Sequence, residues 1–337
     1  MTKAVNLISQ IEKDYPSFEY IAEALYLKAL ILEEQNMQEQ AIIVWQNLSK
    51  LQIQKSYVIS AHIFIGDYFF NKDEPTAAMR YYQQALSLLA NHKKNDFYEE
   101  QFIRIQYRLA WASYRIADYS QTIKSCLEIL KPIRIFSDQK EFADIKADVV
   151  ELIAGALFGL NNLDEVNSIF KLEFMKNYAS KVSLYLIQKY YNAGLYDNVV
   201  KIGDIVANNF YFEADVPQIL SVCAQAAQNL KRNDARIAFL EKLSILLAPH
   251  SLWRAKNKDN MEAIKKMEQL ARSAALTVAE YYFDLGNKTF NRGYFSLSAM
   301  YYQILVDCVP QDLAVNEWSL KVEWILRIAE NYYLSEK

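Results

Sequence analysis

One spacing recurs along this chain and constrains its fold more than any other feature. A small residue is followed twelve positions later by a second compact residue, and four positions after that by a larger one. Gly66, Ala78 and Tyr82 show the spacing cleanly, and so do Gly286, Ser298 and Tyr302. Small residues at these offsets let two helices joined by a tight turn approach to about 8–10 Å, and the large residue fills the next gap. The same ruler finds Ala29 with Ala41 and Trp45, Ala110 with Thr122 and Cys126, and Ala154 with Val166 and Phe170. It also finds Ile187 with Val199 and Gly203, and Cys223 with Ala235 and Phe239, two degenerate pairs. Between the members of each pair lies a polar or glycine-bearing corner, such as Gln35-Asn36-Met37 or Asn161-Asn162-Leu163.

Composition agrees with helices alone. Gly is 7 and Pro is 6 in 337 residues, too few for the turns and phosphate loops of an all-β or α/β chain. The chain is 52% hydrophobic and 14% aromatic, enough to bury a large core. The expected fold is therefore all-α: a helix-turn-helix solenoid of about seven helix pairs, with half-repeats at both ends.

The repeat slips in places. Extra length falls at residues 91–100 and 131–140, and the interval from Cys223 to Gly286 is 63 residues, room for about one extra helix. Ala248-Pro249-His250-Ser251 breaks a helix there, and Asp259 is placed to N-cap a long helix through Met261, Ile264, Met267 and Leu270. The expected division is 1–248, a repeat array, and 249–337, a C-terminal repeat segment.

Ile65-Gly66, Phe69, Ala78, Tyr82 and Ala85, with Leu285-Gly286, Ser298, Tyr302, Leu305 and Pro310, match the pattern W-x₂-L-G-x₂-Y…A-x₃-F…P. The chain resembles the tetratricopeptide repeat family, whose unit is a helix–turn–helix of about 34 residues. Against that unit, Ala4, Ile8, Ile11 and Pro16 fit the second half of a repeat, and Ile328-Ala329 with Tyr332 the first half of another. Both ends thus read either as cuts through a longer array, with Met1 added at an artificial start, or as capping helices.

Several chemistries are disfavoured. A net charge of −3 gives no basis for general nucleic-acid binding, and His92-Lys93-Lys94 and Lys256–Lys258 read as solvated loops. No run of about 18 apolar residues suggests a membrane span, and Met1-Thr2-Lys3 opens an amphipathic helix, not a signal peptide. Cys126, Cys223 and Cys308 are odd in number and form no C-x-x-C pair, against a disulfide framework or a zinc site. Cys126 and Cys223 fall on packing positions as inert thiols, and His62 reads as a core histidine. His62, His92 and His250 are scattered, and no hydrolase, zinc-protease or nucleotide-binding motif is present. No enzyme activity, cofactor or metal is expected.

The candidate site lies on a helix read over Ile103–Ala117. Arg104, Tyr107, Arg108, Trp111, Tyr114 and Arg115 share one face, and Leu109, Ala110 and Ser113 the other. The resemblance implies that the first face lines a concave groove, joined by Phe70 and Asn71 on one side and Glu151 and Phe158 on the other. Arg104 and Arg108 stand where related clamps hold a terminal carboxylate, but Tyr26, Leu30 and Phe64 replace the Lys and Asn that such a clamp needs before them. Guanidinium groups beside aromatic faces suit an acidic or aromatic peptide. The other reading is internal: Arg104 and Arg108 pair with Glu99, Glu100 or Glu151, and Trp111 packs against the next helix. Lys181, Gln188, Tyr191 and Asn192 form a second polar-aromatic stretch. Tyr281, Tyr282, Phe283, Phe290, Tyr294, Phe295, Tyr301 and Tyr302, with Trp318 and Trp324, exceed what pair packing needs. That end is a second candidate interface, for self-association or for a further repeat.

The expected role is a non-enzymatic scaffold for protein or peptide partners. Lys13-Asp14-Tyr15-Pro16 leading into Ala22-Glu23-Ala24-Leu25-Tyr26 is similar to the bacterial envelope branch of the family, which includes the outer-membrane-protein assembly lipoprotein and the Tol-Pal-associated periplasmic coordinator. That similarity implies a periplasmic or cell-envelope role in assembly, secretion, polysaccharide export, motility or division, with a signal peptide or lipobox upstream. The alternative is a cytoplasmic regulatory receptor that binds a short peptide.

Overall fold

The computed structural model describes residues 2–52, 55–90, 96–131, 139–308 and 315–336. His92-Lys93-Lys94, Pro310 and the side chain of Trp318 lie outside the described residues. Among the described residues the regular structure is 17 α-helices and one short 3₁₀ turn, with no strand. The chain divides into two compact units, Met1–Asn161 and Asn162–Lys337.

The first unit holds α1 (Thr2–Asp14), α2 (Ile21–Glu34), α3 (Gln38–Ser49), α4 (Lys55–Asn71), α5 (Pro75–Leu89), α6 (Asp96–Arg115), α7 (Tyr119–Leu130) and α8 (Gln139–Leu160). Each packs on its neighbours in sequence, and α2 on α4 and α6 on α8 besides. The second unit holds α9 (Leu163–Phe170), α10 (Ala179–Asn192), α11 (Tyr196–Asn209), α12 (Val216–Asn229), α13 (Asn233–Leu246), α14 (Leu252–Lys256), α15 (Met261–Thr289), α16 (Arg292–Asp307) and α17 (Val315–Glu336). There α10 packs on α11 and α12, α12 on α13 and α15, and α16 on α15 and α17. Neighbour-on-neighbour packing of this kind makes the fold an all-α, tetratricopeptide-like solenoid.

The recurrent spacing does what its sizes dictate. Ala29, Ala41 and Trp45 are buried, as are Ala78, Tyr82, Ala110, Thr122 and Cys126. A methyl group added at Gly66 would lie 2.4 Å from the Tyr82 ring, so only glycine lets α4 and α5 close to this distance. One at Gly203 would meet the Cys223 sulfur at 2.3 Å. The last pair is offset: Gly286 faces Phe295, whereas the Ser298 hydroxyl donates to the Ala279 carbonyl at 2.8 Å.

All seven corners turn in the same way. Asn36, Asp73, Ala117, Asn161, Gly194, Lys231 and Phe290 each carry a positive φ, between 48° and 73°. At five of them the next residue donates its N–H to a carbonyl five positions back: Met37 to Leu32, Glu74 to Phe69, Asp118 to Ser113, Leu195 to Tyr190 and Arg232 to Ala227. This left-handed turn satisfies the last carbonyls of the first helix and aims the chain into the second.

The long interval before Gly286 holds the expected long helix from Met261 onward and differs only in its cap. Most of the surplus enters one helix, the 29-residue α15, after the five-residue α14. The cap of α15 is Asn260, whose side chain accepts from the Ala263 N–H at 3.1 Å, rather than Asp259. The sequence division at 248/249 falls between α13 and α14, inside the second unit. Cys126 and Cys223 are buried, and burial pushes both thiols far up. His62 is half-buried rather than in the core, with no partner for Nδ1.

Candidate functional site

The α6 face is built by its opposite side. Leu109 and Ala110 are buried, and the buried Ser113 hydroxyl is tied to the Leu109 carbonyl at 2.8 Å. That anchoring turns Arg104, Tyr107, Arg108, Trp111 and Arg115 into a cavity of about 610 Å³, shared with Asp67, Phe70, Asn71, Tyr82, Glu141 and Ile145. Tyr114, expected on the same face, is not part of it. Its ring lies against Gly155 of α8, where an added methyl would come within 2.8 Å of the Tyr114 hydroxyl.

The arginines are already committed. Arg104 pairs with Glu141 of α8 at 2.7 Å. Arg108 Nε donates to both carboxylate oxygens of Asp67 on α4, at 2.8 and 3.1 Å, and Asp67 also accepts from the Tyr82 hydroxyl at 2.7 Å. Arg115 lies 3.9 Å above the Phe70 ring, donates to the Phe70 carbonyl at 3.1 Å and stands 3.7 Å from Asp73. The Tyr107 hydroxyl donates to Asp148 at 2.7 Å. Internal pairing is one of the two readings of this face, and Glu141, Asp67 and Asp73 are carboxylates that supply it. These half-exposed pairs add at most about 1 kcal/mol each, and their main effect is to brace α6 against α4 and α8. Burial and the neighbouring Asp67 push the Tyr82 hydroxyl far up, and burial with the Asp148 hydrogen bond raises Tyr107.

A second cavity of about 500 Å³ adjoins the first and shares Asp67 and Asn71 with it. Its walls include Trp45, stacked on Phe64 at 4.4 Å and 7°, and Tyr68, which donates to Glu39 at 3.1 Å. The Trp45 indole N–H donates to Glu33 at 2.8 Å. Burial raises the Glu33 carboxyl, the Trp45 hydrogen bond opposes this, and the charge of Asp67 adds to the rise. Asn71, exposed between the two cavities, makes no side-chain hydrogen bond among the described residues. The first unit therefore carries two adjoining aromatic-lined cavities, with an uncommitted amide between them.

The other predicted stretch is not brought together. Lys181, at the start of α10, stands 3.7 Å from Asp215 and lines a cavity of about 200 Å³ with Lys266 and Gln218. Tyr191, nearly three turns on, accepts from the Asn229 amide at 3.3 Å and meets Tyr196 edge-on, while the half-buried Gln188 lines none of these cavities. The aromatic end is largely consumed by packing. Phe295, Tyr301 and Tyr302 are buried, and Tyr282 and Tyr301 both donate to Glu241, at 2.6 and 3.3 Å. Phe290 remains 89% exposed. Among the described residues no cluster of potential metal ligands occurs, and no helix is long and apolar enough to cross a membrane.

Sequence reasoning missed Asp67, Glu141 and Ile145. Asp67 sits directly after the anchor Gly66, at a groove position of the repeat, so its signal was present. Glu141 and Ile145 come from the front of α8, whose 22 residues begin well before the repeat unit does, and no ruler built on the repeat reaches them.

No protein-family model matches the sequence, and no curated protein matches it. Among solved structures, a chain in the structure of Naa15/Naa10 bound to HypK-THB is similar over 98% of this chain, at 17% identity and a TM-score of 0.42. This chain spans 49% of that one. The apo form of RapI is similar over 82% of this chain and 98% of its own, at 14% identity and a TM-score of 0.31. Both scores are low, so the fold assignment rests on the chain's own helix pairing.

Proposed function

We propose that the chain is a non-enzymatic interaction scaffold whose first unit grips a segment of a protein partner in the groove from Trp45 to Trp111. The observation that carries this reading is that the two cavities adjoin and share Asp67 and Asn71, so one extended segment could reach both. Aromatic faces at Phe64, Phe70 and Trp111 supply apolar contact area, and the free Asn71 amide supplies a donor and an acceptor suited to peptide backbone. Because Arg104, Arg108 and Arg115 are already paired, the segment favoured is aromatic or aliphatic rather than strongly acidic.

The test is a crosslinking pull-down that compares wild type with the Phe70→Ala/Trp111→Ala double variant, with circular dichroism confirming that both fold. Loss of the partners captured by wild type supports the groove; equal recovery overturns it. Arg104→Glu/Arg108→Glu is the poorer choice, since it would set new carboxylates against Glu141 and Asp67 and confuse folding with binding.

A periplasmic or envelope-assembly setting is part of the proposal, supported by the similarity of Lys13–Pro16 and Ala22–Tyr26 to that branch of the repeat family. Fractionation of cells expressing the native gene tests it. Recovery in the cytosol would replace it with the peptide-receptor reading.

A further inference from the structure

We propose that α17 docks an amphipathic helix of a partner protein whose apolar stripe is edged with lysine or arginine. α17 belongs to the second unit and shares no residue with the groove of the first. α17 is amphipathic the wrong way round. Toward α16 it buries Ile328 and Asn331, and Asn331 leaves its Oδ1 without a partner there. Toward solvent it shows Val322, Ile325, Leu326, Ala329 and Tyr332, with the four larger side chains 47–64% exposed. These residues follow the i, i+3, i+4, i+7 spacing of a stripe that another element covers, and no described element covers it. Of the large exposed hydrophobic side chains among the described residues, six lie on this one helix: Leu320, Val322, Ile325, Leu326, Tyr332 and Tyr333.

The charges beside the stripe select its occupant. Glu323 and Glu330 lie three residues before and four after Leu326, on one edge. Glu280 of α15 lies near the same edge: burial first, then Glu280, Glu323 and Glu330, raise the Tyr302 hydroxyl, and Arg327 opposes them. Arg327 is the cation there, paired with Glu330 at 2.9 Å. Among the described residues the edge is thus acidic, three carboxylates to one guanidinium. The opposite edge carries the half-buried Lys321. A second copy docked antiparallel about a two-fold axis would bring each edge against itself, Glu323 and Glu330 against their own mates. An anionic lipid surface would be repelled by the same carboxylates. A helix with apolar residues at helical spacing and a basic edge satisfies both features.

The experiment uses the full chain and two labelled synthetic helical peptides with the same leucine stripe, one edged with lysine and one with glutamate, followed by fluorescence anisotropy. The lysine peptide is expected to bind at least about tenfold more tightly. Ile325→Asp/Leu326→Asp should abolish that binding, Glu323→Lys/Glu330→Lys should reverse the preference, and Trp111→Ala in the groove should leave it unchanged. All these positions but Trp111 are exposed, and circular dichroism with thermal melting confirms that each variant folds. Equal binding of the two peptides, binding of neither, or indifference to Ile325→Asp/Leu326→Asp overturns the proposal. So does sedimentation showing a dimer that this variant dissolves, which would assign the stripe to a second copy. Cosedimentation with phospholipid vesicles, lost in the same variant, would assign it to a membrane and overturn the proposal equally.

Discussion

Asn36, Asp73 and Asn161 are residue types that tolerate the left-handed region; Ala117, Lys231 and Phe290 are not, yet they hold the same φ. A side chain at such a φ costs about 1–2 kcal/mol, against which glycine loses about 0.5–1 kcal/mol of chain entropy. Ala117→Gly and Lys231→Gly should therefore each stabilise the chain by roughly 0.5–1 kcal/mol, and Gly194→Ala should cost about 1 kcal/mol, read from denaturant midpoints. Gly66→Ala should cost about 1–3 kcal/mol by driving a methyl into Tyr82. Glu33 carries a pH signature. Its folded-state pKa is raised, so the folded state holds the proton more tightly than the unfolded one, and stability is lost as pH rises from the ordinary carboxylate range through the raised value. Glu33→Gln should melt higher than wild type near neutral pH, with the gain vanishing below the ordinary carboxylate range. The corners were legible from the sequence as polar breaks. Which residue turned left-handed was not legible at Ala117, Lys231 and Phe290, whose types give no sign of that conformation.

Helix lengths were harder to read than helix pairing. The pattern of small residues locates where two helices cross, not where either begins, so α6, α8 and α15 run past the unit that the repeat defines. The cost of that blindness was Glu141, the partner of Arg104. The six-residue face of α6 was legible because helical periodicity alone groups it; Tyr114 left the group because Gly155 on α8 opens a slot for its ring. The start of α15 gives a direct check. Asn260→Ala should lower stability by about 1 kcal/mol through loss of the cap to Ala263, and Asp259→Ala should leave the cap untouched, both measurable by urea titration.

A chain in which each helix packs on its sequence neighbours transmits damage over short distances. Within the first unit, Gly66→Ala should speed amide hydrogen exchange most in α4 and α5, less in α3 and α6, and least in α1 and α8. Equal acceleration throughout that unit would show it to be one cooperative block. The all-helical architecture was legible in composition and spacing together, while the division at Asn161–Asn162 was not, since a corner at a unit boundary looks like any other corner. The paired arginines of the groove have one more consequence, at the level of ionic strength. Guanidinium groups that already face Glu141, Asp67 and Asp73 offer a partner little net field, so they neither steer its approach nor gain from dilute buffer. Affinity in the groove should stay nearly flat as salt is raised, whereas a basic helix on the acidic edge of α17 should weaken steadily, so one salt titration separates the two surfaces.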